Sequence, residues 1–475
     1  MPLSVICSRS MKSIKKPYIH FLGNASHDVT GSSYVIRFNT HNILLECGLI
    51  QDNRDICSLY QANRDQIKSI KANTITCSIA PHGNHSDHMG LYPALFHNGY
   101  KGSVFIPEGN KKFLEIMWTD NLKIMTSDCQ KIERKWGKPA PTLFNEEDIQ
   151  VALEHLVEIP YNYPIHISDD VMFEFLPSGH IINAASVLLT LTQPNGVIKR
   201  IYYSSDIGSD NPHHYITPRQ APRQFDLGIV ENTYNSLMRP NNPKDAKNDI
   251  DKIESIVNEY QCTIFPSFAL ARSQEILTTL YLMWCNDMLP DDIVVYYDTP
   301  LGKKLSDVYI DDPLWSEVWG WSNIVKIDTF EESKQYQTLD TKCCVIAGSG
   351  MMGAGRVLSW VKEKLPLTST HICFIGYTPD EGIAADIKAN KKFVKIENDD
   401  IRNMANYTEL RSFSSHCDYR GLLDFYSSLQ CNKLALVHGN QDDKVKFAKV
   451  LQDRFVEQGK STRVLAVQQG DKIYF

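Results

Sequence analysis

The chain predicts an α/β fold in two units, and three observations carry that reading. Strand-like apolar runs alternate with helical patterns and short turns along its length. A stretch rich in Pro, Asn and Lys at 238–248 reads as a linker and interrupts the pattern. Beyond it a regular strand–helix series begins, the signature of a second, mostly parallel sheet. With 475 residues there is chain enough for two full cores, and 43% hydrophobic with 22% charged residues is ordinary globular composition.

Residues 33–37 and 42–46 are apolar and β-branched runs around Asn39, Thr40, His41 and Asn42, and so read as a hairpin. The run 75–80 reads as a buried strand, 89–97 as a helix, and 171–176, 186–192 and 198–203 as further strands. A boundary follows Glu231. Past the linker the expected order is a helix from Ile250, strand 262–265, helix 273–284, strand 293–297, helix 302–309, strand 343–347, helix 357–364 and strand 371–375. No repeat of fixed period and no low-complexity segment is present.

The bulk numbers exclude several function classes. A formal net charge of −7 argues against a protein that coats nucleic acid non-specifically, though not against one that grips a short stretch in a locally basic cleft. Twelve cysteines without a C-x-x-C pair indicate neither a zinc ribbon nor a disulfide framework, and a reducing compartment is the expected home. Residues 1–18 carry lysines and an arginine but no apolar core, and no window approaches an uncharged 18-residue apolar span. The expectation is a soluble, cytoplasmic protein without a membrane partner.

Chemistry concentrates at one place. His82-Gly83-Asn84-His85-Ser86-Asp87-His88 follows the apolar run and precedes Met89-Gly90. Three imidazoles and a carboxylate on one strand-to-helix loop suit zinc and similar divalent ions.

This box resembles the H-x-H-x-D-H motif of the metallo-β-lactamase fold, and further segments resemble its nucleic-acid-processing branch, the β-CASP nucleases. Leu22-Gly23 through Asp28-Val29-Thr30-Gly31-Ser32 is similar to that group's first hairpin, with Asp28 for the usual glutamate. Leu44-Leu45-Glu46-Cys47-Gly48, Pro177-Ser178-Gly179-His180 and Ser205-Asp206 match its other metal motifs. Val230-Glu231-Asn232-Thr233-Tyr234 resembles motif A, Phe413-Ser414-Ser415-His416-Cys417-Asp418-Tyr419 motif B, and Leu436-Val437-His438-Gly439 motif C. Together they cover nearly the whole chain, in the family's order.

The resemblance implies a metallo-β-lactamase αββα sandwich split by an inserted β-CASP domain with a parallel α/β sheet. Residues 1–235 and 403–475 would form the sandwich and 236–402 the insertion. It implies two zinc ions: His85, His180 and either His82 or a substitute on one, Asp87, His88 and His438 on the other, and Asp206 bridging. Glu46 would accept a hydrogen bond from a ligand histidine. His416 would be the general acid and Glu231 the carboxylate that orients it, completing with Asp87 the expected catalytic set. Histidine at 438 favours the RNA-processing branch, since the DNA-repair branch usually has an apolar residue there.

Two departures matter. Counting back from Asp87-His88, the first histidine of the motif falls on Gly83, and His82 lies one position upstream. Either a one-residue insertion lets His82 reach the metal, or the first ligand is lost, with Asn84 filling part of the gap. Asn183 also stands where the group has glycine.

Substrate grip is expected from Arg272, in a Phe-Ala-Leu-Ala-Arg turn ahead of a helix, and from Ser349 and Gly350 in the Gly-rich loop 348–355. Arg272 could pair with a phosphate or with Glu275 or Asp298. The loop lacks the G-K-[ST] of an ATP site, and packing of the domain interface is its alternative role. The resulting expectation is a zinc-dependent ribonuclease, endo or exo, acting on single-stranded RNA, with a homodimer as the one protein assembly considered. The alternative is a catalytically weak or inactive RNA-binding subunit with an eroded first metal ligand.

Overall fold

The computed structural model describes residues 16–52, 54–209, 214–236, 243–376, 378–379 and 381–475. Two seven-stranded sheets pack face to face. The first runs, edge to edge, Lys472–Tyr474, Tyr18–Phe21, Tyr34–Phe38, His41–Leu45, Cys77–Ile79, Val104–Pro107 and Leu156–Ile159. The second runs Arg463–Ala466, Cys431–Val437, Phe225–Glu231, Ile198–Tyr203, Ala185–Thr192, Val171–Pro177 and Ile165–Ser168.

Alternation along the strands decides what meets what, because successive side chains point to opposite faces. Tyr34, Ile36 and Phe38 join Phe173, Phe175, Val187 and Leu189 in the core between the sheets. Val35 and Leu44 face the other way, toward Leu95, Leu114 and Trp118 of the helices Tyr92–His97 and Lys111–Trp136. On the far side Leu188, Tyr202 and Leu434 pack with Leu422 and Phe447 of Tyr419–Ser428 and Gln441–Glu457. The result is an αββα sandwich in which strands from both chain ends complete both sheets.

A third sheet stands apart, with six strands in the order Ile324–Lys326, Val294–Asp298, Cys343–Ala347, Cys262–Pro266, Thr370–Phe374 and Asn406–Glu409, all parallel. Its strands are nearly continuous apolar runs because helices cover both faces. Phe113, Ile181 and Ala184 of the sandwich share a core cluster with this unit, so the two units are packed together.

Differences from the sequence reading are local. The linker read at 238–248 lies outside the described residues up to 242, and from Pro243 onward it is helix, Pro243–Glu259. Proline at the first helical position costs nothing, since its missing N–H has no partner there anyway. The helix expected over 89–97 is two, Ser86–Met89 and Tyr92–His97. The hairpin turn tightens to Asn39-Thr40, with Asn39 at φ +48°. The polar strand Asn406–Glu409 belongs to the third sheet although it lies beyond residue 402. Residues 1–15, read as lacking an apolar leader, are outside the described set. Among the described residues no helix is long and apolar enough to cross a membrane.

Candidate metal centre

The box 82–88 leaves the strand Cys77–Ile79 and is clamped from below. Ser32 donates its backbone N–H to Asp87 O (2.9 Å), Cys47 to His88 O (2.9 Å) and Leu49 to Ser86 O (2.8 Å). Gly48 sits so close that an added Cβ would lie 1.6 Å from Asp87 O, which is why no side chain is tolerated at that point of the Leu-Leu-Glu-Cys-Gly motif. Gly83 is pressed against Asn110, and a Cβ there would come within 2.8 Å of the amide. Next to it Asn84 donates to Ile182 O (2.7 Å). These anchors fix buried Gly83 and Asn84 and leave the His82 ring, 0% exposed, facing the other donors.

Two donor groups built on the box result, and Asp206 also meets Glu231 and His416 in a third cluster. The first is His82, His180 and Asp206; the second is Asp87, His88, Asp206 and His438; within each, one ligand atom per residue lies within 4.8 Å of every other. Asp206 follows Ile198–Tyr203 and is common to both: its Oδ2 is 3.3 Å from His88 Nε2, 3.7 Å from His82 Nε2 and 3.8 Å from His180 Nε2, and its Oδ1 is 3.4 Å from His438 Nδ1. Asp87 Oδ2 is 3.5 Å from His438 Nε2. His82 Nδ1 and Nε2, His88 Nε2, His180 Nδ1, Asp206 Oδ1 and His438 Nε2 are buried without a hydrogen-bond partner. Buried polar atoms are normally satisfied, so this convergence fits a divalent cation.

The charge pattern agrees. Burial, reinforced by the neighbouring imidazoles, holds His82 and His180 well below the usual histidine range, so both carry free lone pairs. Burial opposes ionisation of Asp87 and Asp206, yet the surrounding imidazolium charges win and keep both well below the carboxylate range. His88 and His438 are driven up, against burial, chiefly by Glu46 and Asp206 respectively.

His85 stands apart. Expected as a ligand of the first metal, it belongs to neither group: its Nδ1 is hydrogen-bonded to Asp87 Oδ1 and its side chain is 44% exposed. The physical reason is the backbone. With His82 turned in, His85 becomes the extended residue capping Ser86–Met89 (φ −118°, ψ 138°), and its ring runs along that short helix to Asp87.

Support around the donors was legible only in part. Glu46, fully buried, accepts from His88 Nδ1 (2.6 Å), Tyr203 Oη (2.5 Å) and Ser205 Oγ (2.8 Å), which fixes the His88 tautomer. Sequence reasoning missed Tyr203, Ser205 and Thr233, whose Oγ1 is 2.8 Å from His438 Nδ1. The signal for Tyr203 was its place on the inward-facing register of its strand, and for Thr233 its place inside motif A. Asn183 adopts φ +57°, the left-handed conformation that explains an asparagine in place of glycine.

Opposite the donors lies His416, in the segment returning from the third sheet. Its Nδ1 is 3.5 Å from Glu231 Oε1 and its Nε2 3.9 Å from Asp206 Oδ2, with its ring 4.3 Å from that of His180. The Glu231 carboxylate is itself fixed by the backbone N–H groups of Ile207 (3.2 Å) and Thr233 (2.8 Å).

Of the expected substrate residues, Arg272 begins the helix Arg272–Cys285 and lines a cavity with Ile182, His214, Tyr215, Glu275 and Ser415, next to His416. Asp298, offered as one partner, is engaged by Ser333, Trp360 and Arg356, while Glu275, the other, lines the same cavity and is hydrogen-bonded to His214 (3.0 Å). Ser349 and Gly350 are differently placed. Ser349 Oγ donates to Ala354 O (3.1 Å), and Gly350 packs on the Phe268 ring. Those are contacts within the second unit, of a strand-end turn folded on itself.

Two family models match the chain. The Beta-Casp domain covers residues 273–387, and the Zn-dependent metallo-hydrolase RNA specificity domain covers 401–465, which includes His416 and His438. The chain carries the Beta-Casp and RNA-specificity domains of β-CASP metallo-β-lactamase-fold proteins. Among β-CASP relatives, Ribonuclease TTHA0252 of Thermus thermophilus is 26% identical over 441 residues, 90% of this chain and 94% of that protein. Cleavage and polyadenylation specificity factor 73 of Drosophila melanogaster is 23% identical over 91% of this chain, which spans only 61% of that protein's length. Transcription termination factor FttA of Methanocaldococcus jannaschii is 22% identical, covering 93% and 69%. A solved structure of a protein of unknown function from Enterococcus faecalis aligns over 97% of this chain and 100% of its own with a TM-score of 0.54 at 11% identity, a likeness of fold alone.

Proposed function

We propose that the protein is a metal-dependent ribonuclease that hydrolyses phosphodiester bonds of single-stranded RNA, with two zinc ions shared across Asp206. The observation that carries this reading is the junction at Asp206: two buried donor groups meet there, and a carboxylate-supported histidine faces them at 3.9 Å. The relatives named as ribonuclease and as a cleavage factor support it. His82 and His180 would hold one ion and Asp87, His88 and His438 the other. When bound, such a pair lowers the pKa of water toward neutrality and offsets charge on the scissile phosphate.

The chain's own groups supply the rest. His416, its Nδ1 3.5 Å from the Glu231 carboxylate, gives a proton to the departing oxygen through Nε2. Glu46 keeps His88 with Nδ1 protonated and Nε2 free. Arg272, at a helix start beside the cavity that leads to Ser415, is placed to hold a neighbouring phosphate. One observation favours the alternative of a weakly active binding subunit: without His85, the first group has three protein donors rather than four.

Metal analysis of the purified protein together with cleavage of 5′- and 3′-end-labelled RNA decides between them. Two equivalents of zinc and chelator-sensitive cutting are expected. RNA binding without cutting in the metal-loaded protein would establish the binding subunit instead.

A further inference from the structure

Lys444 lies outside the donor groups and the catalytic pair, yet it is held in a way that needs a reason. It sits in the first turn of Gln441–Glu457, where a cation opposes the helix dipole, and its side chain is 0% exposed. A buried ammonium must be compensated. Here the Nζ donates to Ser26 O at 2.5 Å, and Asp28 and Asp471 are the carboxylates that favour its charge, while burial pushes its pKa down to about 8.

Its hydrogen bond is one of three between the same two segments. His438 donates its N–H to Ala25 O (2.6 Å) and Gly439 donates to Asp28 O (2.9 Å). Residues 438–444 thus place three donors on the carbonyls of Ala25, Ser26 and Asp28. His438 itself stands at φ +53°, a left-handed backbone that a side-chain-bearing residue keeps only when its surroundings over-determine it. The fit between the two segments, together with the hydrogen bonds of Asn232 and Thr233 to His438, sets the direction of this metal-facing imidazole.

We propose that Lys444 is a positioning residue for the second donor group, tying residues 25–28 to the turn that presents His438. The proposal rests on the metal-site reading above, but the tie can be measured without it. Lys444 touches neither donor nor substrate; it acts through Ser26 and the His438 turn.

The test uses the full-length, zinc-loaded protein and Lys444→Met, which keeps the chain length and removes the charge. The variant leaves the buried Ser26 carbonyl without its donor, so the unfolding temperature should fall modestly. Chelator titration should release one of the metals about 10–100-fold more readily, the range typical of lost outer support at a metal site. Amide hydrogen exchange at His438 and Gly439 should quicken in the same variant. Unchanged chelator and exchange profiles would overturn the proposal, and so would a loss of metal only in proportion to a loss of stability. If Lys444→Met fails to fold, Asp28→Asn keeps every backbone bond while removing the nearby charge. It should shift both readouts in the same direction, and no shift overturns the proposal. If the wild-type protein binds no zinc, the metal reading fails, and the exchange rates alone decide whether the tie exists.

Discussion

Glu46 offers the sharpest test of how the centre is tuned, because its three hydrogen bonds can be kept while its charge is removed. In Glu46→Gln the amide oxygen can accept from both His88 Nδ1 and Tyr203 Oη, which meet on Oε2 in the wild type. The amide nitrogen then faces Ser205 Oγ, and a hydroxyl can turn to accept. Glu46→Ala would instead leave three buried donors without partners at roughly 1–3 kcal/mol each, a large part of a typical total stability of about 5–15 kcal/mol. The glutamine variant should fold normally. Its loss is the charge that makes His88 a stronger base, expected to weaken metal binding by about 10–100-fold, which is about 1.4–2.7 kcal/mol. Competition against a chelator, with circular dichroism as the folding control, reads this directly. A folded Glu46→Gln protein with wild-type zinc affinity would show that Glu46 only fills space, and the tautomer argument would fall.

His82→Ala should cost one metal and most of the activity, whereas His85→Ala should leave the metal count unchanged; the reverse order by metal analysis would restore His85 as the ligand. Deleting Gly83 imposes the common spacing but removes the bulge anchored on Asn110 and Ile182, so zinc content and RNA cleavage should fall, and a rise in both would mark the natural loop as crippled. His416→Ala should slow cleavage about 10²–10⁴-fold with zinc retained; loss of zinc in that variant would make His416 a ligand. Zinc uptake should release protons near neutral pH, because His88 and His438 are shifted up from 6.5 in the metal-free protein and must lose protons to bind. The same shifts give the metal-free protein stability that is complete below about pH 6.5 and is lost as pH rises through the folded values, while the depressed His82 and His180 act oppositely up to about pH 7, so a metal-free protein that grows more stable well above pH 7 would contradict them.

The strands buried on both faces were legible from composition alone: Cys343–Ala347 and Cys262–Pro266 fall where the residues place them. Asn406–Glu409 was not, because an edge strand needs only one partner and its Asn-Tyr-Thr-Glu sequence carries no alternation. The helix Pro243–Glu259 was masked at its start by proline and asparagine, residues that signal a break except at a first turn. In the site, spacing identified which residues carry the chemistry, but not which way the loop between them bends. Whether His82 or His85 turns inward depends on Asn110 and Ile182, contacts about 27 and 100 residues away in the chain, and no local pattern encodes them.

The second donor group draws on residues from Asp87 to His438, and the strand that presents His438 is inserted beside Phe225–Glu231, 200 residues upstream of it. Chains are made from the N-terminus, and domains fold as they emerge. During synthesis the sandwich can therefore gather His82, Asp87, His88, His180 and Asp206 while His416 and His438 do not yet exist. By this order the set of residues proposed to cut RNA is complete only when the last strands have been laid into both sheets.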